Sequence, residues 1–256
     1  MIIAIANQKG GVGKTTTTVN LAHALAHRGK SVLVIDADPQ ASLTTYLGHD
    51  PEALEEEGRT LYFALIEGTP LASLVIDGNP ALVPSSIRLA NAEPELIGNL
   101  LASPQTVLRS RIRELRSRYD LVLIDCTPSL GLLTINALVA ADQVLIPSET
   151  EYLASKGIRL LLNTIEKIQT GLNPELGVLG VLPTKYQARY THDQTVLSGV
   201  RAGMADRGIH VFEPIARSTA FAKASLEGKP TVVATPDAPG VESYYKLADE
   251  IISYGR

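Results

Sequence analysis

The segment that most constrains the fold of this chain is a glycine-rich loop at residues 8–16, with the sequence QKGGVGKTT. It directly follows the apolar residues 2–6, which are typical of a buried strand. A loop of the form GxxxxGKS/T surrounds phosphate with backbone N–H groups, while its lysine reaches the terminal phosphates and its hydroxyl helps to hold magnesium. Gly13, Lys14 and Thr15 match the end of this pattern. The sequence therefore predicts a strand, a phosphate-binding loop and a helix.

The loop departs from the ordinary pattern at two positions, since Gln8 replaces the first glycine and an additional lysine, Lys9, stands five residues before Lys14. Lys9 cannot easily fold back onto phosphates that Lys14 already serves, but it could reach the nucleotide of a second subunit across a two-fold axis. We therefore predict a homodimer that forms on ATP binding; the alternative is a solvated turn before a helix. The predicted nucleotide-binding residues are Lys9, Gly10, Gly11, Val12, Gly13, Lys14, Thr15 and Thr16.

Composition narrows the class of protein. A length of 256 residues with 45% hydrophobic residues predicts one globular domain, residues 1–256. Apolar runs are interrupted before about 18 residues and no signal peptide is recognisable, so we expect a soluble cytoplasmic protein. One cysteine, Cys126, cannot supply an iron–sulfur cluster. Because the formal charge is -4, any binding to nucleic acid requires a local basic face.

Short apolar runs alternate with longer segments of helical spacing, which is typical of a parallel sheet covered by helices on both faces. The sequence therefore predicts an α/β fold with a doubly wound, mostly parallel sheet, as in P-loop nucleoside triphosphatases. The predicted strands are residues 2–6, 31–35, 81–83, 121–124, 143–146 and 178–182.

Acidic residues follow two of the predicted strands, at the sheet edge where α/β proteins bind ligands. Asp36 and Asp38 come after the second strand, and we assign Asp38 to orienting or activating the attacking water and Asp36 to the magnesium site. The alternative for both is a solvated loop carboxylate or a helix cap. Asp125 ends the fourth predicted strand and is expected to bind magnesium together with Thr15.

Together, the motifs at residues 9–16, 36–40 and 125–131, in this order and spacing, resemble those of the ParA/Soj partition ATPases, which are of the deviant Walker type and related to MinD. The similarity extends essentially from end to end of the chain. The resemblance implies slow ATP hydrolysis in a magnesium-dependent dimer. It also implies that Lys9 contacts the partner's nucleotide, that Lys14 and Asp38 act in the subunit's own site, and that Asp125 lies in the magnesium shell.

The resemblance further implies that the ATP dimer binds DNA without sequence preference, associates with the nucleoid, and releases DNA after hydrolysis stimulated by a ParB-like or other cargo-linked partner. Arg189 and Arg217 stand where the family's DNA contacts are expected, with Lys223 as a weaker candidate. Residues 185–229 contain seven basic and four acidic residues, a balance of +3. The alternative is that these are ordinary solvated charges.

Two other functions are compatible with this nucleotide loop. A MinD-like membrane-cycling ATPase would end in a basic amphipathic helix, whereas residues 241–256 have a charge of -1, so no membrane partner is expected. A metabolic ATP-dependent ligase on the same fold would need a pocket for a small substrate, and no motif in the sequence selects one.

Overall fold

A computed structural model describes residues 1–98, 103–151 and 154–255 of the chain. These residues form a parallel sheet with helices packed on both of its faces. The predicted fold class is thus confirmed, and the single domain over residues 1–256 stays a prediction. No helix within the described ranges combines the length and the apolar character needed to cross a membrane.

All six predicted strands lie in the described sheet, whose strand order is β3-β2-β4-β1-β5-β6. Every pairing in it is parallel. The strands are β1 (Ile2–Ile5), β2 (Val32–Asp36), β3 (Ala81–Val83), β4 (Leu121–Asp125), β5 (Gln143–Glu149) and β6 (Gly177–Thr184).

Helices connect these strands, and some of the connections contain short irregular turns. The α-helices are α1 (Lys14–His27), α2 (Ser42–Tyr46), α3 (Pro51–Glu56), α4 (Ala92–Gly98), α5 (Val107–Ile112), α6 (Leu132–Ala140), α7 (Ala154–Gly171), α8 (Thr191–Ala205), α9 (Thr219–Leu226), α10 (Thr231–Ala234) and α11 (Val241–Tyr254). A 3-10 turn, Arg113–Leu115, continues α5.

The central strand β1 shows how the two hydrophobic cores form. Its side chains alternate between faces, so that Ile3 and Ile5 pack with α1 and α11 on one side. Ile2 and Ala4 pack with α6 and α7 on the other side. Each large aliphatic side chain buried in this way contributes about 1.5–3 kcal/mol. A strand buried on both faces must be continuously apolar, which explains the pattern that predicted it.

Register brings the candidate functional residues to one edge of the sheet. Asp125 of β4 lies beside Asp36 of β2 on one side and Ile5 of β1 on the other. The glycine-rich loop leaves β1 directly after this point and enters α1. Two acidic residues that are far apart in sequence therefore meet next to the phosphate-binding loop.

Candidate nucleotide-binding site

The glycine-rich loop has the backbone shape that phosphate binding requires. Gly11 and Gly13 have φ of 76° and 88°, values in the left-handed region that residues with a Cβ adopt only with strain. Gly13 directly precedes α1, whose first N–H groups and positive dipole end favour anions. A Cβ built on Gly10 or Gly11 would meet no atom within 4 Å. Open space thus adjoins the loop where phosphate would lie.

The side chain of Lys14 is buried at the start of α1, and its Nζ donates to the main-chain carbonyl of Lys9 at 3.3 Å. Burial lowers the pKa of Lys14, and the nearby Asp125 carboxylate opposes this effect. A desolvated ammonium gains more from anionic phosphate than an ammonium in water does. The burial of Lys14 beside the loop fits a phosphate ligand, and this role stays a prediction.

Thr15 and Asp125 meet at the carboxyl edge of the sheet. The Thr15 hydroxyl donates to Asp125 Oδ2 at 2.7 Å, and the Thr18 hydroxyl donates to Asp125 Oδ1 at 3.2 Å. Hydroxyl and carboxylate oxygens are the ligands that Mg²⁺ prefers. The residues present thus fit the predicted cation, although the magnesium-binding roles stay predictions. Thr18 was not predicted as part of this site, although it stands four residues after Lys14 on the same face of α1.

Burial raises the pKa of Asp125 to about 8 from the ordinary 3.8, with the neighbouring Asp36 as the next cause. The folded chain therefore holds a proton that the unfolded chain releases at neutral pH. The contribution of this carboxyl to folding stability consequently falls as pH rises from about 4 to about 8. A cation beside Asp125 would favour the ionised carboxylate and remove this cost.

This linkage predicts the behaviour of Asp125→Asn, which abolishes the titration. Without nucleotide or magnesium, the variant should melt at a higher temperature than the wild type at pH 8 and at a similar temperature near pH 4. Each kcal/mol gained in the free energy of unfolding should raise the melting temperature by about 2–4 °C. Asp120→Asn is the matched control, because Ser31 lowers the pKa of Asp120 and its loss should instead destabilise at pH 8. A lower melting temperature for Asp125→Asn at pH 8 would contradict the buried protonated carboxyl.

Asp36 is completely buried and has donors on both oxygens. Its Oδ2 accepts from the Thr44 amide at 2.9 Å and the Thr44 hydroxyl at 2.7 Å, and its Oδ1 accepts from the Asp38 amide at 3.2 Å. Burial raises the pKa of Asp36 to about 6, against the effect of the Thr44 bonds. Asp36 therefore anchors the loop that carries Asp38, and these contacts were not predicted from the sequence. Its role in the magnesium site stays a prediction.

Asp38 lies half-buried beside the glycine-rich loop, in a cavity of about 310 Å³ that Lys14 and Thr15 also line. Its Oδ1 accepts from the Gln40 amide at 2.9 Å, and its carbonyl accepts from the Ser85 hydroxyl at 2.8 Å. The carboxylate is therefore held at the cavity wall by its own loop. This position suits a group that orients water next to a terminal phosphate.

A second cavity, of about 350 Å³, adjoins the loop at Gly11 and Gly13. Its walls include the aromatic rings of Phe221 and Tyr244, and Thr184, whose hydroxyl donates to the Val12 carbonyl at 2.8 Å. The two rings pack edge-to-face on each other, with their centres 5.9 Å apart. A partly apolar cavity next to the loop suits the base of a nucleotide. Phe221 and Tyr244 were not predicted, because they lie more than 200 residues from the loop that they help to complete.

Lys9 is in contact with two carboxylates of its own chain. Its Nζ lies 3.3 Å from Glu149 and 2.5 Å from Glu151, and Glu149 also pairs with Lys185. The hydrogen bond that Lys9 donates to the Glu151 carboxylate is the main cause of a raised pKa for Lys9. The lysine side chain is still 43% exposed. It therefore lies at the surface, held loosely within its subunit.

The candidate DNA-binding residues lie on two segments joined by a bridge between Tyr186 and Ala216. Arg189 is exposed, and its guanidinium lies 5.0 Å from the centre of the Tyr190 ring. Arg217 and Lys223 are exposed as well, and Arg217 lines the second cavity. The structure thus brings the Arg189 and Arg217 segments together. Their contact with DNA stays a prediction.

The parallel sheet, the glycine-rich loop and the acidic residues at its edge define a P-loop nucleotide-binding protein. The chain matches the AAA domain family over residues 1–178. It is 42% identical to the chromosome-partitioning ATPase Soj of Thermus thermophilus, over 98% of this chain and 95% of the relative. It is 39% identical to the chromosome partitioning protein ParA of Caulobacter vibrioides, over 100% of this chain and 95% of the relative. The chain belongs to the Soj/ParA family of P-loop ATPases, which confirms the predicted resemblance.

Among solved structures, cobyrinic acid a,c-diamide synthase from Mycobacterium smegmatis superposes with a TM-score of 0.82 at 36% identity. The match covers 98% of this chain and 93% of the other. That protein was solved with a bound ATP analogue and magnesium, which agrees with the two predicted cofactors.

Proposed function

We propose that this chain is a partitioning ATPase that binds Mg-ATP, dimerises over it, hydrolyses it slowly and binds DNA nonspecifically while ATP is bound. Its cargo is a chromosome, a plasmid or another large assembly. The observation that carries the proposal is that one loop holds two lysines in different environments. Lys14 is buried against the phosphate site, whereas Lys9 is at the surface of the same loop, where a second subunit can approach.

In the proposed reaction, Lys14 and the N-terminus of α1 hold the terminal phosphates of ATP. Thr15 and Asp125 hold magnesium, which neutralises charge on the transferred phosphoryl group. Asp38 orients the attacking water from the cavity wall, and the bonds from Thr44 to Asp36 keep that loop in place. The base occupies the adjoining cavity, which Phe221 and Tyr244 help to line.

Dimer closure requires Lys9 to leave Glu149 and Glu151 and to contact the partner's nucleotide. Exposed ion pairs contribute only about 0–1 kcal/mol each, so the phosphates of a bound ATP can replace them. ATP binding and dimerisation are thereby coupled, because the lysine gains a stronger anionic partner only when nucleotide is present.

In the closed dimer, Arg189, Arg217 and Lys223 contact the DNA backbone, since guanidinium and ammonium groups bind phosphate without reading bases. A ParB-like or other cargo-linked partner stimulates hydrolysis and returns the chain to the weakly binding state. The protein consequently associates with the nucleoid.

The proposal is tested by measuring how strongly variants of Lys9 and of its partner Glu151 dimerise. Lys9→Ala should bind a nonhydrolysable ATP analogue but remain monomeric, whereas Glu151→Gln should lower the dimer dissociation constant about two- to fivefold, because it weakens one exposed ion pair. Glu57→Gln is the matched control, since Glu57 pairs only with the exposed Arg59 among the described residues. Analytical ultracentrifugation measures the dimer dissociation constant of each variant. A Lys9→Ala protein that dimerises like the wild type would refute the assigned role of Lys9.

The metabolic alternative has one observation in its favour, the name of the solved neighbour from Mycobacterium smegmatis. The two functions differ in what ATP turnover requires, because a synthase consumes ATP only when its small-molecule substrate is present. ATP turnover stimulated by cargo-linked protein or DNA in the absence of any small substrate would favour the partitioning function.

A further inference from the structure

Glu149 is contacted by two lysines from different segments of the chain. The Nζ of Lys9 lies 3.3 Å from its Oε2, and the ammonium group of Lys185 pairs with its Oε1. In the part of the chain that the structure describes, no other cation lies within ion-pair distance of Glu149. When Lys9 leaves this carboxylate in the proposed dimer, Lys185 is therefore the partner that Glu149 retains.

The sheet explains why Glu149 and Lys185 meet. Glu149 is the last residue of β5 and pairs with Thr184, the last residue of β6. Lys185 thus follows directly after the point where the two strands end together. Adjacent strands lie about 4.8 Å apart, which brings the carboxylate within reach of the lysine side chain. The pair therefore belongs to the carboxyl edge of the sheet, next to the nucleotide loop.

The backbone of Lys185 is strained. Its φ of 54° lies in the left-handed region, which a residue with a Cβ adopts only at a cost. Hydrogen bonds on both sides hold this conformation. The Thr184 hydroxyl donates to the Val12 carbonyl of the glycine-rich loop at 2.8 Å, and the Tyr186 amide donates to the Ile215 carbonyl at 3.0 Å. Lys185 is therefore fixed in place beside the loop that carries Lys9.

Glu149 keeps its negative charge at neutral pH, although its side chain is only 13% exposed. Burial alone would raise the pKa of Glu149, but the bond from Lys185 and the other contacts hold the pKa below its ordinary value. A carboxylate with so little access to water attracts a cation more strongly than an exposed carboxylate does. Lys9 can therefore leave more easily when a second cation remains on Glu149.

The two ammonium groups on this carboxylate also repel each other. Loss of the charge of Lys185 would end the repulsion and would leave Glu149 to Lys9 alone. Both effects would hold Lys9 within its own subunit. Glu151 does not alter this comparison, because it contacts Lys9 whether or not Lys185 is charged.

We propose that Lys185 is a positioning residue for dimer closure, which frees Lys9 for the partner's nucleotide by competing with it for Glu149. This inference rests on the proposed function, in which Lys9 contacts the nucleotide of the second subunit. It adds a control to that step, because the balance between the two lysines on one carboxylate sets how easily the dimer forms.

The test compares Lys185→Met and Lys185→Arg with the matched control Lys246→Met, which removes an exposed lysine from its pair with Glu242. Methionine keeps the Cβ and most of the apolar stem, so the backbone strain is unchanged and the charge is lost. Analytical ultracentrifugation measures the dimer dissociation constant with a nonhydrolysable ATP analogue and magnesium. We expect Lys185→Met to raise this constant about three- to fivefold at low salt and by less at high salt. Lys185→Arg and Lys246→Met should match the wild type.

The same substitution in a Glu149→Gln background shows whether Lys185 acts through Glu149. Because the carboxylate is then absent, Glu149→Gln/Lys185→Met should dimerise like Glu149→Gln, within about twofold. An equal loss of dimer in both backgrounds would overturn the inference, since Lys185 would then act by another route.

A direct contact with nucleotide is tested separately, because Lys185 also lines the second cavity. Isothermal titration calorimetry should show that Lys9→Ala/Lys185→Met binds the analogue as tightly as Lys9→Ala does. Weaker binding would assign Lys185 to the nucleotide and overturn the inference. If Lys185→Met dimerises as well as a dimerising wild type, the role of Lys185 is wrong and the proposed function stands. If the wild type stays monomeric with the analogue, the dimer of the proposed function is contradicted as well.

Discussion

Replacing Lys14 with alanine should lower the affinity for Mg-ATP by about 30-fold to several thousandfold, because removing one partner of a buried charge pair costs about 2–5 kcal/mol. Lys14 is buried, and in the structure its ammonium has a neutral carbonyl as its hydrogen-bond acceptor. Terminal phosphates would supply the charge that this group lacks. Isothermal titration calorimetry with a nonhydrolysable ATP analogue and magnesium measures the loss.

Lys167→Ala provides the control for Lys14→Ala, since Lys167 is an exposed lysine on α7 away from the loop. It should bind the analogue as tightly as the wild type. If the affinity of Lys14→Ala stayed within threefold of the wild type, the glycine-rich loop would not be the phosphate site.

Replacing Asp38 with alanine should leave ATP binding intact and reduce hydrolysis by a factor of about 100, the low end of what a positioned acid–base group contributes. Asp38 lines the cavity beside Lys14 and Thr15 without bonding to either residue. Its removal therefore deprives the water of its orienting group and leaves the phosphate ligands in place. The variant should accumulate as an ATP dimer.

The Asp38→Ala prediction is checked by phosphate release under single-turnover conditions. Asp50→Ala is the control, because Asp50 caps α3 through the Glu52 amide at 3.0 Å and takes no part in the cavity. Hydrolysis at the wild-type rate by Asp38→Ala would assign the water to another residue.

Much of the fold follows from local patterns in the sequence. A parallel strand covered on both faces must be a short apolar run, so each of the six strands can be recognised in the sequence. The glycine-rich loop is equally local, because its backbone shape and its ligands come from nine consecutive residues. Strands β5 and β6 continue beyond their apolar runs, however, where Ser148 and Glu149 pair with Pro183 and Thr184. Backbone pairing there depends on the neighbouring strand.

The features that the sequence did not predict are contacts between distant residues. Glu149 and Glu151 meet Lys9 across 140 and 142 positions, and nothing in their own segment marks them as its partners. Asp36 matches a metal-binding pattern, yet its oxygens accept from Thr44 and Asp38, which only the folded loop reveals. Side-chain partners of this kind are set by tertiary packing, so spacing along the chain does not specify them.

In the proposed function, ATP switches this chain into a DNA-binding dimer. The most direct test measures binding of Asp38→Ala to a nonspecific DNA duplex at moderate salt with ATP, ADP or no nucleotide. We expect tight, salt-sensitive binding with ATP and at least tenfold weaker binding otherwise, since only the dimer presents paired basic faces. Equal affinity in all three conditions, or no binding in any of them, would contradict it.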